Sequence, residues 1–376
     1  MSRQRQTNRA SVVLRHLRQP DESGSNVQIE VRRVRWRDLS SLRRIRQQIS
    51  LNQPNAQWHL GDPFQAALRQ LFPFGDNTDR VAVARAEGVL LGHVVFRVMP
   101  PDERWVLEAA GANTGVYEAE PIWEELLRYS IVAAGLEGAK RLYARLPSGS
   151  GITAAARRTG FAPYAHEHVL TATGVPATVQ SSRVRRQEAS DVWAIHQLYM
   201  AVVPRQVQYG EALTSHHWDV APSSRFSTQR TSGWLMEDGN QLSGYVRVQT
   251  DIDRHVIELM IDPAHREDAA ELLQTVCGEL QAMPRRMMYA VVRSYQIEFL
   301  PVLQSLGFMN HLEQDVHVKY TTVPAQAPIM SGLAVSPEIA EQVGKRVPTF
   351  LHGNQSEPTA EPAGTSVRVF ATIDQS

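Results

Sequence analysis

The chain has one cysteine, Cys277, in 376 residues, which excludes a disulfide framework and any cysteine-based metal cluster. Its neighbours Leu272, Leu273, Val276 and Leu280 mark it as a core thiol. Lysine occurs only at positions 140, 319 and 345, so almost all positive charge is arginine. Basic and acidic residues balance at 39 each, and no net field draws the chain to nucleic acid or an anionic membrane. No apolar run approaches the roughly 20 residues of a transmembrane helix, and the N-terminus lacks a signal-peptide core. A cytoplasmic protein is expected, with no metal, nucleic acid or membrane among its partners.

What is present is the same unit twice. Val31-Arg32-Arg33 with Asp38 recurs as Val184-Arg185-Arg186 with Asp191, an offset of 153. Gly92 then matches Gly244 (152), Glu108 matches Glu258 (150), and Glu125-Leu126-Leu127 matches Glu271-Leu272-Leu273 (146). Tyr143-Ala144 and Ser148 return as Tyr289-Ala290 and Ser294 (146), and Gly160-Phe161 as Gly307-Phe308 (147). Conserved order with a slowly drifting offset is what loop deletions leave behind in a duplicated globular domain. The units span 27–172 and 183–323, joined by a linker at 173–182 that carries Gly174 and Pro176. An arginine-bearing arm at 1–26 is expected to be mobile. The Pro-, Ala-, Ser- and Thr-rich tail at 324–376 is expected to be largely disordered, with a short helix possible at 336–343.

Each unit reads as a mixed α/β domain. A short strand (29–34; 183–186) leads to an aspartate suited to cap a helix. Leu39, Leu42, Ile45 and Ile49 share one helical face, as do Val192, Ile195, Leu198 and Val202. Irregular segments follow, with Trp58, Phe64, Phe72 and Phe74 in one unit and His216, His217 and Trp218 in the other. Hairpin strands turn at Glu87-Gly88 and Asp238-Gly239. A fourth strand carries the matched glutamates. Then come a helix, a strand (142–146; 288–292), a short helix, the Gly-Phe pair and a last strand (164–170; 315–320).

This succession, closing on Gly160-Phe161 and Gly307-Phe308, resembles the GCN5-related N-acetyltransferase superfamily, here as two tandem domains. The resemblance implies a mostly antiparallel central sheet flanked by helices. It also implies an acyl-CoA slot between the splayed fourth and fifth strands, with the pyrophosphate on amides at the N-terminus of the following helix. Acetyl-CoA, or another acyl-CoA, would serve as co-substrate, and a small-molecule or peptide amine would attack it directly. The phosphate-loop stretch is Gly111, Ala112, Asn113, Thr114 and Gly115 in the first unit, without the family's opening Arg or Gln. In the second it contains His265 and Arg266, of which Arg266 matches that opening residue; Glu267 and Asp268 would repel a phosphate there. The family's tyrosine, four residues before Gly-Phe, is replaced by Ala156 and Leu303. Ser148 and Ser294 stand where a pantetheine amide would pass, and also suit ordinary turn or cap chemistry.

Glu108, and Glu258 as its alternative, fit a general base on the fourth strand, since partial burial raises a carboxylate toward the useful range. The alternative is that each pairs with an arginine on the adjacent strand, Arg97 or Arg247, and structural ion pairs of this kind are common. His166 and His168 alternate on one side of a last strand, with no further metal ligand at a recognisable spacing. The aromatic residues of the first irregular segment could line an acceptor pocket or cover the core. At most one unit is expected to keep acyl transfer. The non-enzymatic alternative is a degenerate scaffold or binding protein, and a homo-oligomer fits either reading.

Overall fold

A computed structural model describes residues 12–17, 27–45, 47–54, 62–72, 78–99, 104–113, 118–175, 180–220, 230–239 and 241–321. The C-terminal tail, with its expected helix, lies outside them, as do Trp58 and Phe74. The first half runs β1 (Val12–Leu17), β2 (Val27–Arg33), α1 (Leu39–Leu42), β3 (Gln47–Ser50), α2 (Pro63–Leu71) and β4 (Asp79–Ala86). It continues with β5 (Val89–Met99), β6 (Arg104–Ala112), α3 (Ala119–Leu136), β7 (Arg141–Pro147), α4 (Gly151–Arg158) and β8 (Ala162–Ala172). The second half is β9 (Val184–Arg186), α5 (Val192–Val202), α6 (Arg205–Glu211), β10 (Arg230–Asp238), β11 (Gln241–Thr250), β12 (Arg254–Ile261), α7 (Ala269–Gln281), β13 (Met287–Arg293), α8 (Leu300–Ser305) and β14 (Met309–Tyr320). Part of the arm expected to be mobile is therefore a strand, since β1 pairs antiparallel with β2.

Local chemistry explains most of what repeats. Glu87 and Gly88 take φ of 48° and 82°, the positive values that a two-residue hairpin turn needs to match strand twist. Gly160 and Gly307 share φ 86°, where each short helix ends in a left-handed residue before its phenylalanine. The matched Gly92 and Gly244 answer to packing. A Cβ on Gly92 would lie 2.7 Å from Ile122 Cγ2, and one on Gly244 would lie 3.0 Å from Leu272 Cδ2. Helices α3 and α7 thus rest directly on bare strand backbone. Each half has apolar clusters on both sheet faces, one under the long helix and one under the helices of the irregular region.

Two expectations are corrected here. Asp38 and Asp191 do not cap the following helix through their side chains; each reaches back, accepting from Arg35 N or Glu188 N at 2.7 Å. Asp38 is also bonded by Arg32 (2.7 Å) and Arg85 (2.6 Å), and Asp191 by Arg185 (2.8 Å). The helical face drawn through Leu39, Leu42, Ile45 and Ile49 ends early. Helix α1 stops at Leu42, and Ile49 belongs to β3.

The halves share one 14-stranded sheet because their closing strands are exchanged. Strand β8 pairs with β13 of the other half, and β14 pairs with β7; β8 and β14 pair with each other between them. Glu167 lies opposite Gln314, His166 opposite Asp315, and His168 opposite Glu313. Positions 167 and 314 are also related by the repeat offset of 147 that relates Gly160 to Gly307. A pseudo-two-fold axis therefore passes through the Glu167–Gln314 pair. Neither segment, 27–172 or 183–323, completes its own sheet edge.

Candidate active site

The site forms where parallel neighbours diverge. Strands β6 and β7 pair from Trp105↔Leu142 to Leu107↔Ala144 and then part; β12 and β13 pair from Arg254↔Met287 to Glu258↔Val291 and then part. Glu108 and Glu258 thus stand at the mouths of two equivalent slots. Past each mouth, the inner edge of the fourth strand needs a new hydrogen-bond partner.

The two slots meet this need differently. In the first half β3 enters the opening and pairs antiparallel with β6, from Gln47↔Ala112 to Ser50↔Ala109. Leu51 N then donates to Glu108 O (2.8 Å), and Asn52 N to Arg145 O (3.4 Å), bridging β6 and β7. The chain's own backbone fills this slot. In the second half, among the described residues, a single side chain crosses: Gln296 Nε2 donates to Leu259 O at 2.8 Å.

Between the slots lies a chamber of about 670 Å³ lined by both halves. Glu108, Arg97 and Tyr143 reach it from the first half; Glu258, Arg247, His217, Trp218, Tyr245 and Tyr295 reach it from the second. It extends to Leu259 and Met260 past the second mouth. Its floor is a continuous polar chain across the exchanged strands. Asn52 Nδ2 donates to Glu108 Oε1 (3.1 Å), and Arg145 Nη1 donates to Asn52 Oδ1 (3.0 Å). Arg145 Nε meets Glu167 Oε2 (3.1 Å), Arg293 Nε meets Glu167 Oε1 (2.8 Å), and Arg293 Nη2 donates to Glu211 Oε1 (2.8 Å). Gln314 Nε2 completes the set at 2.7 Å from Glu167 Oε2.

The carboxylates differ in their surroundings. Burial pushes the Glu108 carboxyl up, against the pull of Arg97 and the Asn52 hydrogen bond, and its Oε2 has no hydrogen-bond partner among the described residues. Burial alone would raise Glu167 as well, but Arg145 and Arg293 hold it below the usual carboxylate range. Glu258 is partly exposed to the chamber and lies 3.7 Å from Arg247 Nη1. That guanidinium also donates to His217 Nε2 at 2.7 Å, and burial with the nearby Arg247 charge keeps the imidazole neutral, well below its ordinary pKa.

The phosphate-loop residues fall in unlike places. Gly111 and Ala112 are strand residues, corrected from the loop reading, paired with His93 and Gly92 on one side and with β3 on the other. Asn113 N donates to Leu91 O (2.7 Å), while Thr114 and Gly115 lie outside the described residues. In the second half a distorted 3-10 turn, Pro263–Asp268, leads into α7 and contains His265 and Arg266. His265 lies 3.2 Å from Asp238, and the exposed Arg266 lies 3.4 Å from Glu298. Asp268, a repulsive charge on sequence grounds, is clamped by Arg183 at 2.8 and 2.9 Å. Ser148 and Ser294 are both exposed and neither lines the chamber. Phe64 and Phe72 do not line it either; Arg43 stacks on Phe64 and Trp36 packs edge-on against Phe72.

An antiparallel start, a splayed parallel pair joined by a helix, and a Gly-Phe entry to the closing strand occur in both halves. Each half has a GCN5-related N-acetyltransferase-like fold. No protein-family model and no curated protein matches the sequence. Among solved structures, the chain is similar to a GCN5-related N-acetyltransferase from Sphaerobacter thermophilus at 12% identity and a TM-score of 0.48, over 78% of this chain and 96% of that one. It is also similar to a tandem GNAT protein from the clavulanic acid biosynthesis pathway at 15% identity and a TM-score of 0.43, over 79% and 100% of the two chains. A third, a GCN5-related N-acetyltransferase from Anabaena variabilis, gives 11% identity and a TM-score of 0.40, over 78% and 73%. No helix among the described residues is long and apolar enough to cross a membrane.

Sequence reasoning missed Glu167, Arg145 and Arg293, which meet through the strand exchange, and Asn52, which reaches Glu108 and Arg145 from the end of β3. The one available signal was Glu167, a charged residue between two histidines on a closing strand, with a glutamine at its repeat position.

Proposed function

We propose that this protein is an acyl-CoA-dependent N-acyltransferase whose chemistry resides in the second half, with Glu258 as general base. The observation that carries this reading is the contrast between the slots. Displacing β3 would break a four-residue strand pairing, whereas clearing the second slot needs one rotation of Gln296, at a cost of about 1 kcal/mol for one hydrogen bond. The acyl chain and pantetheine would enter between β12 and β13, and the phosphates would lie near the start of α7. There the Arg183 clamp offsets the charge of Asp268, and Arg266 can leave its exposed partner Glu298.

An amine bound in the chamber gives its ammonium proton to Glu258, directly or through one water. Its nitrogen then bonds to the thioester carbonyl carbon, the C–S bond breaks and, as the nitrogen sheds its second proton to the donor that serves the leaving group, the departing thiolate takes a proton. Tyr295, kept protonated by burial and lining the chamber just past β13, would supply it. Arg97 has buried Nε and Nη2 atoms without a hydrogen-bond partner among the described residues. Together with Arg247, they favour an acceptor that carries an anionic group beside its amine.

A second reading has one observation in its favour. Glu108, held toward its neutral form, lines the same chamber and could serve as base from across it. Turnover of acetyl-CoA against an amine panel, followed by thiol release, separates the two. Glu258→Gln should lose roughly 10²–10⁴-fold in kcat with acetyl-CoA affinity retained, and Glu108→Gln should lose much less. The reverse pattern transfers the role to Glu108. No thiol release and no acetyl-CoA binding by the wild-type chain would leave the scaffold reading.

A further inference from the structure

On the sheet face opposite the chamber, the exchanged strands bring four metal-competent side chains together. Alternation along β8 sends His166 and His168 away from Glu167, and the register sets Asp315 and Glu313 of β14 against them. His166 Nε2 lies 3.8 Å from Glu313 Oε2, and His168 Nδ1 lies 3.3 Å from Glu313 Oε1. One ligand atom from each of His166, His168 and Glu313 falls within 4.8 Å of the others. We propose that these three side chains form a binding site for a divalent transition-metal ion, zinc by preference, that ties β8 to β14.

Asp315 completes the arrangement from outside the ligand set. Its Oδ1 lies 2.8 Å from His166 Nδ1, and its Oδ2 lies 3.5 Å from Arg157 Nη2, so both oxygens are engaged. A carboxylate accepting from Nδ1–H fixes the imidazole tautomer and turns the Nε2 lone pair toward the ion, as in carboxylate–histidine–zinc triads. Metal–ligand bonds of about 2.0–2.2 Å put tetrahedral ligand atoms roughly 3.3–3.5 Å apart. The two contacts to Glu313 lie at or slightly above this spacing and the whole set lies within 4.8 Å, so Glu313, with 61% of its side chain exposed, has to move in to close the remainder. Three protein ligands leave the fourth position to water. With Glu313 and Asp315 negative and Arg157 positive, the surroundings favour a cation.

The pseudo-two-fold axis supplies an independent argument. Position 166 is the repeat equivalent of 313, and 168 of 315, both at the offset of 147. The duplicated positions have diverged into two imidazoles on one strand and two carboxylates on the other. That complementarity suits ligand and second-layer partner, and the alternation of His166 with His168 did not reveal it in the sequence alone.

The test uses the full-length, untagged chain, stripped with chelator and titrated with Zn²⁺ by calorimetry and with Co²⁺ by visible absorption. One ion per chain should bind, Co²⁺ should give a tetrahedral d–d spectrum, and the thermal midpoint should rise with ion concentration. His166→Ala and His168→Ala should each weaken binding at least tenfold, and Asp315→Asn should weaken it 10–100-fold while keeping the spectrum. Glu313→Gln changes an exposed side chain, so it reports even where a histidine variant fails to fold, and it too should weaken binding at least tenfold. Absence of binding at 100-µM-scale free Zn²⁺, or wild-type affinity in Glu313→Gln, would overturn the assignment and leave the histidines as ordinary ion-pair partners.

Discussion

Replacing Glu167 with Gln removes the buried negative charge on which Arg145 and Arg293 converge. The carboxylate is fully buried between Arg145 and Arg293, whose side chains keep 20% and 12% of their exposure. Glutamine retains the shape and can still bond to Gln314, but it leaves two guanidiniums facing each other across a neutral amide. Removing one partner of a buried, hydrogen-bonded ion pair costs about 3–5 kcal/mol. For one cooperative unit of about 300 residues, roughly 1.5 °C of Tm per kcal/mol then predicts a fall on the order of 5–8 °C. Urea denaturation followed by tryptophan fluorescence, with calorimetry alongside, measures it. The cost must also depend on pH. Glu167 titrates below the usual carboxylate range when folded, so its contribution is fully present above that range and is lost as pH falls through the folded pKa. The penalty of the variant should therefore shrink in acid. A change below about 1 kcal/mol at neutral pH, or one that does not vary on acidification, would refute the view that this network holds the halves together.

Glu108 carries the opposite sign: burial raises its pKa, so its contribution is present below the ordinary carboxylate value and lost as pH rises through the folded one. The Tm of Glu108→Gln relative to wild type should accordingly increase between pH 4 and pH 8, and a flat difference would contradict it. Asp38→Asn should cost about 3–5 kcal/mol, as a fully buried carboxylate between Arg32 and Arg85. Asp191→Asn should cost roughly 1 kcal/mol, because its partner Arg185 is 40% exposed; equal losses in denaturation would show that burial does not separate the twins. Because each sheet edge is completed by the other half, calorimetry should show one unfolding transition, and two resolved transitions would contradict the exchange. Gly111→Ala would drive its Cβ into the buried His93 ring, lowering Tm, and should be tolerated better in a His93→Ala background.

The parts of the fold that were legible in the sequence are those set by local chemistry. Glu87-Gly88, the Gly-Phe pairs, Gly92 and Gly244 each answer to a turn, a helix end or a helix resting on a strand within their own half. Cys277 was also legible, since its apolar neighbours recur at helical spacing and it is fully buried. The exchange was not legible. Strands β8 and β14 hold equivalent places in the two halves and present equivalent edges, so either can complete either sheet, and the choice depends on long-range pairing. Strand β3 was hidden for a related reason. Ile49 continues the helical spacing of Leu39, Leu42 and Ile45, yet it also suits a strand, and the free edge of β6 decides the matter. The site divided along the same line. Glu108 and Glu258 stood out because they repeat, whereas Asn52, Arg145, Glu167 and Arg293 do not repeat as a set and meet only in space.

Hydrogen exchange with and without acetyl-CoA tests the central claim most directly, because it reports which slot the ligand enters. The account predicts new protection at 258–270 and 291–299, with 47–52 and 104–113 unchanged. Protection at 104–113 together with faster exchange at 47–52 would show β3 yielding its place to the ligand, and would contradict the assignment of the chemistry to the second half.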